Sequence, residues 1–177
     1  MNEGKLVRLR AFDNSDLMHC VDYSNDYQIM KGASGGILYP ATVDDEARAI
    51  GNNTSYNTSG EYQFAVETLE GRRFIGKCGF IKVNWKNRVG ELAILLGDKS
   101  CHGKGYGTDA VETLCRFGFD EMNLHKIKAT VFSFNKPAIR CYEKCGFVQE
   151  GVLKKEIFRD GAYHDVIVMG KFKNTED

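Results

Sequence analysis

The chain has 177 residues, with 24 lysines and arginines balanced by 24 aspartates and glutamates. That length holds one domain over 1–177, whose core buries roughly 70% of the unfolded chain's surface without help from disulfides. Zero net charge, no long basic run and no apolar stretch near the roughly 20 residues of a bilayer span argue against a nucleic-acid partner and a membrane-spanning helix.

Lys5 to Arg10 alternates charged and apolar residues, the pattern of a half-buried strand. Asp13 and Asp16 then open a helix whose apolar face carries Leu17, Cys20 and Val21. Lys31 to Pro40 holds Gly32, Gly35 and Gly36 and reads as a mobile loop. Thr42 and Asp45 cap a second helix running toward Ile50, and the polar stretch NNTSYNTSG after it reads as a surface loop. Its sequons at Asn52, Asn53 and Asn57 follow no secretory signal and are read as plain polar residues.

Strands follow at Tyr62 to Thr68, Phe74 to Trp85 and Glu91 to Leu96, joined by turns at Glu70-Gly71 and 86–88. Such short connections make neighbours antiparallel. From Gly105 to Met122 the period becomes helical, with Val111, Leu114, Cys115, Gly118 and Met122 on one stripe. Lys126 to Phe132 turns Ile127, Ala129 and Val131 inward as a strand. Asn135 caps a short helix with Pro137 in its first turn, and Gly146 ends it. A closing hairpin runs from Val152 to Phe158, through Asp160-Gly161, to Tyr163–Met169. The result is one mixed α/β domain of α+β character.

Six cysteines, Cys20, Cys78, Cys101, Cys115, Cys141 and Cys145, include no C-x-x-C pair, so reduced thiols in the cytoplasm are expected. Cys141 and Cys145 share a helix face but lack a histidine nearby, and no metal is expected.

Between the strand ending at Leu96 and the following helix, glycine stands at Gly103, Gly105 and Gly107, with Lys104 among them. A helix start exposes backbone N–H groups and partial positive charge, and glycines let a phosphate reach them. The stretch therefore reads as an anion cradle. A Walker A loop needs a spacing that is absent. Gly105, Gly107 and Ala110 fit a dinucleotide fingerprint, but the next strand ends Val131-Phe132-Ser133 without the acid that holds a ribose.

HGKGYGTDA, followed by FNKPAIRCYEKCGF, resembles the acetyl-coenzyme A core of the GCN5-related N-acetyltransferase (GNAT) superfamily. The family loop Q/R-x-x-G-x-G/A is met by Gly105 and Gly107, with His102 departing at the first position. The second signature, N-x-x-A-I-x-x-Y-x-x-x-G-F, is met by Asn135, Ala138, Ile139, Tyr142, Gly146 and Phe147. The opening KLVRLRAFDNSDL and the closing hairpin resemble the branch of ribosomal-protein N-terminal, spermidine and amino-sugar acetyltransferases.

The resemblance implies a mostly antiparallel mixed sheet with splayed central strands, and direct acetyl transfer from acetyl-coenzyme A to a primary amine. Coenzyme contacts are implied at Ile94, Leu95, Leu96, His102, Gly103, Lys104, Gly105, Tyr106, Gly107, Thr108, Asn135 and Lys144. Tyr142 falls where the family carries its general acid, and a phenol pKa near 10 suits a departing thiolate. Glu91 falls where a base often stands, although pairing with Arg88 is the alternative. Asn135 has either a capping role alone or a coenzyme contact as well. Cys101 has no base placed beside it by sequence.

The acceptor is a polyamine, a protein N-terminus or an amino sugar, with Asp22, Asp26, Asp44, Asp45 and Glu46, or Tyr27, Tyr39 and Tyr56, near it. A homodimer is in keeping with the branch. A non-catalytic acyl-coenzyme A sensor and a nicotinamide-dependent oxidoreductase are the competing readings.

Overall fold

The structure, a computed structural model, describes residues 2–51 and 61–173. Its strands are β1 (Val7–Arg10), β2 (Tyr62–Thr68), β3 (Phe74–Asn84), β4 (Val89–Leu96), β5 (Lys126–Phe132), β6 (Val148–Arg159) and β7 (Ala162–Phe172). They form one sheet in the order β1-β2-β3-β4-β5-β7-β6. Every pairing is antiparallel except β4 with β5. A nicotinamide-binding doubly wound sheet, built from parallel strands, is thereby excluded. The helices are α1 (Asp16–Ser24), α2 (Tyr27–Met30), α3 (Val43–Gly51), α4 (Tyr106–Arg116) and α5 (Lys136–Lys144).

Strand alternation explains the two layers. Ala65 and Val66 are both fully buried although adjacent, because they face opposite sides of the sheet. Val66 joins the main core with Ile75, Phe80, Val111, Leu114 and Ile127, beneath α4 and α5. Ala65 joins Cys20 and Phe74 beneath α1 and α3. α3 is closed by the expected reciprocal cap: Thr42 N donates to Asp45 Oδ2 at 2.9 Å, and Asp45 N donates to Thr42 Oγ1 at 3.2 Å. The stretch NNTSYNTSG after it lies outside the described residues.

α4 stops at Arg116, short of the expected Met122, and passes into a wider π turn over Phe117–Glu121. A Cβ on Gly118 would lie 2.5 Å from Phe80 Cζ and 3.1 Å from Ile127 Cδ1, so this turn lies directly on the sheet. Gly118 and Phe119 are both buried along this turn. At its other end α4 holds β1. The buried Asp109 carboxylate accepts from the amides of Lys5, Leu6 and Val7 at 2.7 to 2.9 Å.

The terminal hairpin turns at Asp160 (φ 51) and Gly161 (φ 77), the two left-handed residues of a type I′ turn. Both strands run longer than the apolar pattern indicates, because β7 pairs with β5 as well as β6 up to Phe172. No described helix is long and apolar enough to cross a membrane.

Candidate active site

β4 and β5 pair only over Val89↔Lys126, Gly90↔Ile127 and Glu91↔Lys128. β5 then stays with β7 to its end, while β4 runs on beside β3 to Leu96. From Leu92 onward the β5-facing edge of β4 has no strand partner among the described residues, and the sheet is open at its centre. This is the expected splay.

The chain leaves β4 through a short 3₁₀ turn, Lys99–Cys101, closed by Asp98, whose Oδ1 accepts from Ser100 N at 2.9 Å. Gly103 (φ 73) and Gly105 (φ 89) then take left-handed conformations that favour glycine, and α4 begins. Asp109 N is the first amide to close onto the helix, bonding Gly105 O at 3.0 Å. The amides of residues 103–108 donate to no described residue. These are the orphan donors of a helix start, with the partial positive charge that accompanies them. A Cβ on Gly107 would make ordinary contacts, 3.4 Å from Leu96 Cδ1 and 3.8 Å from Cys141 Sγ, so this position lies close to both β4 and α5.

A cleft of about 610 Å³ opens over these amides. Ile94, Leu95 and Leu96 line it from β4, and His102, Gly103, Gly105, Gly107 and Thr108 from the loop and first turn. Asn135 and Lys144 line it from α5. Lys104 is exposed outside the lining, and Tyr106 packs on the main core instead. Lys31, Arg140, Lys144 and His102 lie in its wall, and no aspartate or glutamate does. Free amides, cations and no carboxylate suit a diphosphate. The ring of His102 is engaged at one nitrogen: Nε2, taken as protonated, donates to Leu96 O at 2.8 Å and secures the end of β4.

Sequence reasoning missed Arg140, Cys141 and the segment from Gln28 to Ala33, all in the cleft wall. The helical spacing from Pro137 through Cys141 to Lys144 is the signal that identifies the α5 face. The segment carries no such signal. Its helix α2 is capped by Asp26, which accepts from Gln28 N at 2.9 Å and also pairs with Lys99. The glycine-rich stretch after it, expected to be mobile, is tied down. Asn135 Nδ2 donates to Gly32 O at 3.1 Å, and Arg159 Nη2 donates to Ser34 O at 2.8 Å and Gly36 O at 3.1 Å. Asp160 accepts from the Tyr27 hydroxyl and pairs with Lys31 at 3.7 Å. Asn135 caps α5 with its other end, Oδ1 accepting from Ala138 N at 3.3 Å.

Tyr142 lies on α5 beside Cys141 but is 5% exposed, outside the cleft lining, its ring 5.4 Å from that of Phe147. Its hydroxyl bonds to no described residue, and burial, reinforced by nearby cysteines, pushes its pKa above the usual phenol range. Glu91 stands at the last paired position before the gap. It forms no ion pair with Arg88 or any other described cation; Thr130 Oγ1 donates to its Oε1 at 3.4 Å. Cys101 is buried with Arg73 Nη2 3.8 Å from its sulfur. Among the first-third acids, Asp45 is used in its cap, Glu46 accepts from Ser24 at 2.6 Å, and Asp26 is paired. No described cluster of histidine, cysteine and acidic residues could hold a metal ion.

The chain matches the family described as "Acetyltransferase (GNAT) domain" over residues 7–148. It is 31% identical over 175 residues to a spermidine N(1)-acetyltransferase of Vibrio cholerae serotype O1, covering 97% of this chain and 98% of that one. It is 47% identical over 126 residues to the SPbeta prophage-derived N-acetyltransferase YokL of Bacillus subtilis, covering 71% and 62%. The crystal structure of the Vibrio cholerae spermidine N-acetyltransferase with coenzyme A and spermine superposes with a TM-score of 0.83, at 30% identity over 94% of this chain and 95% of that one. The open sheet, the free amides above it and these likenesses agree: the chain belongs to the GNAT superfamily, whose members use acetyl-coenzyme A to acetylate primary amines.

Proposed function

We propose that the cleft holds acetyl-coenzyme A with its diphosphate on the amides of residues 103–108, and that the acceptor is a small polyamine of the spermidine kind. The observation that carries the first part is the row of amides without acceptors facing a wall free of carboxylates. Arg140 and Lys144, one turn apart on α5, supply cations toward the same ligand. Bound there, the coenzyme supplies the activated acetyl group. The chain's own residues must position the amine, take its proton and protect the thioester from water.

Glu91 is the proposed base, acting directly or through water. A carboxylate without a cationic partner at the edge of the open sheet favours an incoming ammonium ion and can then accept its proton. A polyamine offers further cations and agrees with the acceptors named for the relatives. Tyr142 is the proposed acid. Its buried phenol stays protonated at neutral pH, the form needed to protonate a departing thiolate. Six free thiols support a reducing location such as the cytoplasm, which fractionation of the tagged chain tests.

The test is incubation with acetyl-coenzyme A and a panel of spermidine, spermine, amino sugars and N-terminal peptides, following release of free thiol. Spermidine should turn over fastest. Tyr142→Phe should lower kcat about 100-fold with coenzyme affinity unchanged; wild-type turnover would remove Tyr142 from the chemistry. Tight coenzyme binding with no product from any amine would favour the sensor reading instead.

A further inference from the structure

Cys141 and Cys145 stand one turn apart, and both sulfurs reach Thr108 in the first turn of α4. Thr108 Oγ1 donates to Cys141 Sγ at 3.7 Å, and Cys145 Sγ donates to Thr108 O at 3.5 Å. Cys141 lies in the cleft wall, its sulfur 3.8 Å from the point a Gly107 Cβ would occupy. The thiol therefore faces the helix start that carries the free amides, an environment that favours thiolate. Lys144 on α5 adds a cation, and Glu112 on α4 opposes it. The Cys145 thiol is the largest influence; burial works against it, and the net effect lowers Cys141 to about 7.

The other five cysteines differ. Each is at most 3% exposed, Cys101 included although it too lines the cleft, and burial pushes Cys20, Cys78 and Cys115 upward. A lowered pKa raises the thiolate fraction at neutral pH, but lower basicity weakens the nucleophile, so access to the cleft supplies most of the selectivity.

We propose that Cys141 is a thiol–disulfide exchange site whose modification closes the coenzyme cleft. Its thiolate attacks one sulfur of a small disulfide RS–SR. The Cys141–SR bond forms, the RS–SR bond breaks, and RS⁻ leaves and takes a proton from water. The R group then stands against the first turn of α4 and excludes a diphosphate; a reducing thiol reverses the exchange. Cys145 does not readily resolve the adduct. A disulfide needs Cβ atoms about 3.5–4.5 Å apart, whereas helix positions four apart hold theirs at about 5–6 Å.

The closing effect rests on the cleft being the coenzyme site. The test treats the full chain at pH 7 with 2-hydroxyethyl disulfide, with and without desulfo-coenzyme A, which has no thiol of its own. Trypsin separates Cys141, in the peptide 141–144, from Cys145. The adduct should appear first on Cys141, at least tenfold more slowly under saturating desulfo-coenzyme A. Modified protein should bind desulfo-coenzyme A at least tenfold more weakly until dithiothreitol restores it. C141S should give no adduct at that site, and mapping of the wild type decides the matter even if that variant misfolds. First labelling at Cys101 or Cys145, or labelling of Cys141 without loss of affinity, overturns the proposal. No thermal shift of unmodified protein by desulfo-coenzyme A would instead overturn the coenzyme reading, and the closing effect with it.

Discussion

Asn135 makes two bonds with one side chain, and Asn135→Asp separates them. Aspartate caps a helix as well as asparagine does, so the bond from Ala138 N to the side-chain oxygen survives. The donor to Gly32 O at 3.1 Å is replaced by an oxygen, leaving two acceptors facing each other. A neutral hydrogen bond contributes about 0.5–1.5 kcal/mol. Arg159 and Asp160 still hold the neighbouring residues, so the stretch should loosen rather than detach. If that stretch forms part of the acceptor wall, about 1.4 kcal/mol translates into tenfold, so kcat/KM for the amine should fall about three- to tenfold. The loss should appear as a higher acceptor KM; the new carboxylate also enters a wall otherwise free of them, so the coenzyme Kd should rise too, and the uncharged Asn135→Ala separates the two effects. Asn135→Ala should show the same acceptor defect and also lose about 1 kcal/mol of stability in urea as the cap is lost. A wild-type acceptor KM in both Asn135→Asp and Asn135→Ala would refute the idea that this bond positions the acceptor wall.

Gly105→Ala places a side chain at φ 89, where its Cβ meets only Leu6 Cδ1 at 3.5 Å, so backbone strain alone should cost about 1–2 kcal/mol in urea unfolding. Gly107→Ala carries no such strain and should leave stability nearly unchanged while weakening coenzyme binding, as isothermal titration would show. The combined Arg140→Gln and Lys144→Gln variant should raise the coenzyme Kd, with the gap from wild type narrowing as salt rises; a salt-independent gap would argue against an electrostatic role. Burial pushes the Glu67 carboxyl up, but Arg10 at 2.5 Å and Arg8 at 2.7 Å more than offset it and hold its pKa below the ordinary value. Its stabilisation is therefore complete above the unfolded carboxylate pKa, about 4.3, and is lost as pH falls through the lower folded value. Glu67→Gln should flatten the acid limb of stability against pH, and an unaltered limb would show that the cluster contributes nothing there.

Elements decided within a few residues were legible before the fold. Thr42 with Asp45, the run from Asn135 through Pro137 to Gly146, and Asp160-Gly161 each form their turn or cap from neighbours in sequence. The glycine loop is local in the same sense, which is why its side of the cleft wall was readable. The other wall is different in kind. α2 buries no residue, so it has no apolar period to detect. The stretch after it is held by bonds to Asn135 and Arg159, 103 and 125 residues away. Those partners are polar groups meeting backbone carbonyls, and a carbonyl is present at every position. Sequence therefore carries no mark of which residues will meet. The proposed coenzyme site rests on a local motif and is legible in the sequence; the wall proposed for the acceptor is assembled from distant parts, so the acceptor is named only by experiment on the folded protein. Mutational tests of acceptor choice accordingly belong in Gln28 to Gly36 and in their anchors, and substitutions within the glycine loop should change coenzyme affinity without changing which amine is preferred.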